Sequence, residues 1–110
     1  MSPESLMDIV VELGTEIGYT DDELTAQTIT DRLKRYTMRG EQKLNKIAGS
    51  EIDYDADLVA RGLLINFGLY CNSQVEEHFE NNYAKELAAL NADYSVKEYL
   101  SNGGGSGEES

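Results

Sequence analysis

Apolar positions recur every three or four residues through most of the chain, in segments separated by short polar runs. In the first segment Ser2 and Pro3 form an N-cap and first helical position ahead of Leu6, Val10, Leu13 and Ile17, and Gly14 or Gly18 ends the helix. Thr20 and Glu23 have the spacing of a capping box, in which each side chain satisfies a backbone donor of the other residue. A second helix is therefore predicted from about 21 to 48, with Ile29, Leu33, Tyr36, Gly40, Leu44 and Ile47 along one side and Gly49 as its left-handed end. Gly40 lies inside that apolar row at a cost of about 1 kcal/mol relative to alanine, which marks a place where another backbone comes close.

Residues 50–55 read as a polar connection, after which Asp55 is expected to cap a third helix carrying Leu58, Val59, Leu63, Phe67 and Cys71. Asn72 tolerates the left-handed conformation, and Ser73 with Glu76 repeats the capping-box spacing, so a break is predicted near 72; one continuous helix from 56 to 90 is the alternative. The row Phe67, Cys71, Val75, Phe79, Tyr83, Leu87 advances by four throughout and would wind roughly 200° around a straight helix. One partner surface cannot cover such an arc. Either the helix breaks or a second surface, such as a neighbouring subunit, receives its far end. The expected fold is all-α, a small bundle of about four helices over residues 1–91, followed over 92–110 by a flexible or extended arm, in which YSVKEYL reads as a short helix or an extended stretch, and a Gly-rich tail.

At 110 residues the chain holds one domain, able to bury roughly two-thirds of its unfolded surface. Its single cysteine excludes an internal disulfide, and acids occupy residues 1–18 where a signal peptide needs a basic start, so the cytosol is the expected compartment. No apolar run is long enough to span a bilayer, and no membrane association is expected. The net charge of −12 argues against broad nucleic-acid binding, which is gained by neutralising phosphates. That charge is uneven: between Arg32 and Lys46 six basic residues face one acid, giving the segment +5 and leaving −17 elsewhere.

Candidate chemistry concentrates in CNSQVEEHFENNY, residues 71–83, which holds the only cysteine and the only histidine. Seven helical residues would separate Cys71 from His78 by about 10 Å, too far for a nucleophile and its base. Cys71 instead continues a packing row, and His78 among Glu76, Glu77 and Glu80 lacks the spacing of a metal motif. Asp53, Asp55 and Asp57 imitate the start of a calcium loop, but Leu58 and Leu64 stand where glycine and a bidentate glutamate are required. Helix capping accounts for these aspartates. No catalytic residue, metal or cofactor is expected.

A basic stripe and an acidic cluster remain. Arg32, Arg35, Arg39, Lys43 and Lys46 fall within about 80° of arc on the second helix, beside its apolar row. A solvated helix face is one reading. The other is a subunit contact, in which this stripe meets Glu76, Glu77, Glu80 and Tyr83 of a neighbour; unlike patches on opposite sides of one subunit generate head-to-tail contacts that can close into a ring.

The run KLNKIAGSEIDYDADLVARGLLINFGLYCNSQVEEHFENNYAKELAAL, residues 43–90, resembles the head-tail connector (adaptor) proteins of tailed bacteriophages. The matching features are a helix ending in IAG, an acidic connection, an aliphatic helix with leucines and tyrosines, and the F-E-x-N-[FY]-x-x-E-L-x-A-L pattern from Phe79 to Leu90. DDELTAQTITDRLKRY, residues 21–36, matches more loosely, while residues 1–18, Gly62, Gly68 and the Gly-rich tail depart from the pattern. The resemblance implies a non-enzymatic virion protein, made in the host cytoplasm, that assembles as a dodecameric homo-oligomer at the head-tail interface. Its implied partners are a portal protein on one side and a stopper or tail-completion protein on the other. DNA would pass through the channel without sequence-specific binding. Residues 92–110 are then the expected portal-docking arm, with Tyr94, Val96, Tyr99 and Leu100 as its contacts. The rival from another class is a small acidic helical inhibitor mimicking DNA, suggested by the net charge but interrupted by the basic stripe.

Overall fold

The computed structural model describes residues 1–101, which form helices and no strands. Five helices follow in order: α1 (Pro3–Ile17), α2 (Gln27–Ala48), α3 (Leu58–Asn72), the one-turn α4 (Phe79–Asn82) and α5 (Ala84–Ser101). The fold class is all-α as expected, with five helices in place of about four. Among the described residues no helix is long and apolar enough to cross a membrane.

α1 begins as its sequence predicts: Ser2 Oγ accepts from the Ser5 N–H at 3.1 Å, and Pro3 occupies the first turn. It ends at Gly18, whose φ of 113° lets its N–H reach Gly14 and Thr15 carbonyls. Gly14 has a different task. A Cβ there would lie 2.5 Å from Leu24 Cδ2, so the missing side chain makes room for Leu24.

The capping box forms, with the Thr20 N–H donating to Glu23 Oε1 at 2.8 Å and the Glu23 N–H to Thr20 Oγ1 at 3.2 Å. It opens a 3₁₀ turn at Glu23–Thr25, however, and not the long helix predicted from 21. Thr25 Oγ1 donates to the Asp22 carbonyl at 2.6 Å, Ala26 is extended, and α2 starts only at Gln27. The redirected turn delivers Leu24 to the core over Gly14, which offsets the loss of helical continuity.

α2 is the central element and packs against α1, α3 and α5. Its close approach at Gly40 is real, but the visitors are side chains of α3 rather than backbone: a Cβ would meet Leu64 Cδ1 at 2.7 Å and Phe67 Cδ2 at 2.8 Å. Beyond Gly49 the connection is less polar than its composition suggests. Ile52 and Tyr54 are buried, pinned by Asn45, whose Oδ1 accepts from the Ile52 N–H at 3.3 Å and the Tyr54 hydroxyl at 2.8 Å. Asp57, not Asp55, caps α3 by accepting from the Ala60 N–H at 3.0 Å.

The break after Asn72 is present, with its details changed. Gln74 takes the left-handed conformation at φ 61°, and the next turn is a 3₁₀ segment, Glu76–His78, that no side chain caps. What directs this corner is Phe79. Fully buried, it meets Phe67 edge-on at 5.1 Å and Tyr70 edge-on at 5.6 Å, and stacks on Tyr83 at 4.9 Å. α5 then runs through residue 91 without interruption, so residues 92–101 continue a helix and are not an extended arm. The expected Gly-rich tail at 102–110 lies outside the described residues.

Candidate subunit-contact surfaces

The basic stripe lies on the exposed and half-buried side of α2, and the chain places its own acids against it. Arg39 Nη1 pairs with Glu76 Oε1 at 2.6 Å, and Lys43 pairs with Glu80. The Arg39 guanidinium is held more firmly protonated chiefly by its hydrogen bond to Glu76, and the hydrogen bond from Lys43 holds the Glu80 carboxyl below the usual carboxylate range. The two patches are therefore neighbours on one subunit and do not lie on opposite sides of it. That removes the geometric premise for a head-to-tail contact between them.

The remaining members of these patches divide. Arg32 Nη2 donates to the Tyr19 hydroxyl at 2.9 Å, while its Nε is buried without a partner among the described residues. Arg35 and Lys46 are exposed. Glu77 is exposed beside His78, whose Nε2 is 3.8 Å away. Tyr83 is half-buried, committed to the cluster with Phe79 and Tyr70.

Cys71 is buried, and burial above all pushes its thiol up to about 11, so it is protonated at neutral pH. Its polar contact is Arg39 Nη1 at 3.9 Å. Among the described residues no three His, Cys, Asp or Glu side chains gather closely enough to hold a metal ion. The three aspartates are separately engaged: Asp53 Oδ1 accepts the Asp55 and Ala56 N–H groups, Asp55 pairs with Arg61, and Asp57 caps α3.

α5 is divided between two surfaces. Leu87, Leu90 and Tyr94 face the body, where the Asn91 amide donates to the Ile47 carbonyl at 2.8 Å and the Tyr94 hydroxyl donates to Asp57 Oδ2 at 2.7 Å. Tyr94 is thus an internal latch and does not present itself to a partner with the other expected docking residues. Its hydroxyl is pushed up to about 12 by burial first and by Asp57 second. Asp57 sits below its usual range even though desolvation opposes this, because the Ala60 N–H and Tyr94 hydroxyl both donate to it.

Past Tyr94 every described residue is exposed, and Val96, Tyr99 and Leu100 retain 57%, 58% and 65% of their accessible surface. Leu58 and Val59 are also open, at 70% and 73%, although both were expected in the buried row of α3. The row that packs is Ala60, Leu64, Phe67 and Cys71; Leu58 and Val59 lie about 150° and about 110° around the helix from it, on the overhanging first turn. They border a groove of about 520 Å³ whose other wall is Glu86, Ala89, Leu90, Asp93 and Lys97 of α5. A spacing signal for this outer face does exist in Ala89, Ala92, Val96 and Tyr99, but the inner apolar positions of the same helix mask it.

No protein-family model, no curated protein and no solved structure matches this chain.

Proposed function

We propose that the protein is a structural subunit of a phage head-tail connector, a ring that sits between a portal and a tail or stopper protein and extends the DNA channel. The observation that carries this reading is the outer face of α5: Val96, Tyr99 and Leu100 stand exposed on a helix whose inner side is already packed. An acidic chain that spends apolar side chains this way is built to be covered. The resemblance over residues 43–90 supports the reading, since that span runs from the end of α2 through the anchored connection and α3 into α5. The role needs positioned surfaces and no reaction. A net charge of −12 suits a channel subunit, because DNA slides past a surface that neutralises few phosphates. The dodecameric state, the stopper contact and the virion location belong to the same proposal.

The portal contact is assigned to Val96, Tyr99 and Leu100, with Tyr94 holding their helix in place. Electron microscopy of the protein mixed with its cognate portal should show rings capping the portal. Truncation after Tyr94 should abolish that association while circular dichroism shows the remaining helices intact. Unimpaired association of the truncated protein would remove the assignment, and competition with DNA for a DNA-binding protein would favour an acidic mimic instead.

A further inference from the structure

Five of the nine large hydrophobic side chains that stand exposed among the described residues are Leu58, Val59, Val96, Tyr99 and Leu100, and all five lie along or beside one face of α5. On a helix with 100° between residues, Ala89, Ala92, Val96 and Tyr99 centre roughly 170° from the inner side marked by Leu87, Leu90 and Tyr94. α5 therefore has two opposed apolar faces, and only the inner one is covered. The residues after Ser101, NGGGSGEES, contain no large apolar side chain.

The outer stripe is complementary to itself. Its spacing of three, four and three is that of a helix-pair seam. It runs from small residues near the body to large ones near the tip. When two such helices lie antiparallel, Ala89 of each faces Tyr99 of the other and Ala92 faces Val96, so small meets large in every layer. In that register the helix tip, about 16 Å beyond Ala89, reaches back to the base of the other copy. There the groove between Leu58, Val59 and Ala89 stands open at about 520 Å³. Leu100 is on the same edge of α5 as Asp93, and that edge borders the groove. Charge follows the same register, because Lys97 of one copy falls within a turn of Asp93 of the other.

We propose that the outer face of α5 is a self-pairing surface, on which a second copy of the chain lies antiparallel with its Tyr99 and Leu100 seated in the groove beside Leu58, Val59 and Ala89. The contact is isologous, so each pair closes two tip-in-groove contacts at once and leaves no open end. It does not rest on the connector reading, and because it uses the same Val96, Tyr99 and Leu100, a pair formed this way has to open before that face docks on a portal. Two copies at −12 repel, so raising the salt strengthens the pair, opposite to the behaviour of a contact between basic and acidic patches.

Sedimentation of the full chain should show a monomer-dimer equilibrium that is populated by about 100 µM and tightens in high salt. Val96→Asp should weaken dimerisation at least about tenfold, since its charge would be buried at the centre of the seam. Its melting temperature should match that of the wild-type monomer, because Val96 packs against no core residue. Orientation is read from thiol cross-linking in a Cys71→Ala background. Chains carrying Ala92→Cys mixed with chains carrying Val96→Cys should cross-link faster than either alone. Preferential self-linking of the Val96→Cys chain would indicate parallel helices and overturn the proposal. A wild-type chain monomeric at 100 µM in high salt would overturn it too, as would a larger assembly that Val96→Asp leaves intact. A monomer that still caps the portal defeats the pairing and leaves the connector reading standing; a dimer that never associates with a portal does the reverse.

Discussion

α2 and α5 are both long helices on the same body, and they are finished in opposite ways. α2 is covered on three sides by α1, α3 and α5, and on its remaining side Arg39 and Lys43 are met by Glu76 and Glu80 of the same chain. α5 buries Leu87 and Leu90, half-buries Tyr94, and then carries a second apolar face of Ala89, Ala92, Val96 and Tyr99 that is exposed. Charge was the conspicuous feature of α2 in the sequence, yet at Arg39 and Lys43 it is met by the chain's own acids, while Arg35 and Lys46 stay exposed. The unsettled surface is the apolar one on α5, where no charge pattern advertised it. The difference teaches that an exposed cation in an acidic protein is a weak sign of a partner, because the chain can supply the anion; an exposed apolar stripe has no such internal remedy.

The comparison breaks most visibly at the corner between α3 and α5, which also carries Glu76 and Glu80 to α2. Phe79→Ala should destabilise the protein by about 3–5 kcal/mol, since it empties a fully buried site against three rings. Chemical denaturation would measure the loss, and a change below 1 kcal/mol, on the order of a surface substitution, would mean the corner is directed by something other than this aromatic cluster.

A smaller effect is expected at the latch that makes the inner face of α5 differ from its outer one. Tyr94→Phe removes one hydrogen bond to Asp57 and should cost about 1 kcal/mol, concentrated in faster amide exchange along α5. The pH profile gives the sign. The Tyr94 hydroxyl, raised from 10.0 to about 12, keeps its proton in the folded chain after the unfolded chain has lost it. Its stabilisation is complete below pH 10 and disappears as pH rises toward 12. Asp57 is depressed below 3.8, so its contribution is present above that pH and is lost as acid protonates the folded carboxylate. Tyr94→Phe should flatten the alkaline limb in a thermal-melt series. An unchanged limb would show that the latch does not form.

The smallest effect belongs to the surface that looked most functional. Arg39→Ala or Lys43→Ala should change stability by less than about 1 kcal/mol, with the difference shrinking further in salt, as exposed ion pairs do. A loss of several kcal/mol would restore the basic stripe as a structural element in its own right.

What could be read from the sequence were features whose cause is local. Ser2 with Pro3 and Gly49 each do what their neighbours in the chain dictate and form as expected, and the Thr20–Glu23 box forms too, although it opens a 3₁₀ turn in place of the helix predicted from it. The break near Asn72 was visible because an i+4 row cannot remain on one face of a straight helix. The missed features depend on distant partners. Ile52 and Tyr54 read as part of a polar loop until Asn45, on another element, binds them both. Leu58 and Val59 read as core because a helix start gives too few turns to fix which side faces inward. The basic stripe was located correctly, but whether it faced another subunit or its own acids depended on where Glu76 and Glu80 return in space. In α5 the periodicity failed for a physical reason: apolar residues on two opposite faces cancel each other, so the helix shows no single preferred side.

Asp57 performs two tasks with one carboxylate: Oδ1 accepts the Ala60 N–H that opens α3, and Oδ2 accepts the Tyr94 hydroxyl halfway along α5. The start of one helix and the middle of another therefore share a single hinge pin. Whatever grips the far end of α5 and steadies Tyr94 also steadies the first turn of α3, where Leu58 and Val59 stand. Fraying at that turn, in return, loosens the tip. The two parts of the uncovered surface, at the first turn of α3 and the outer half of α5, are thus tied to one carboxylate.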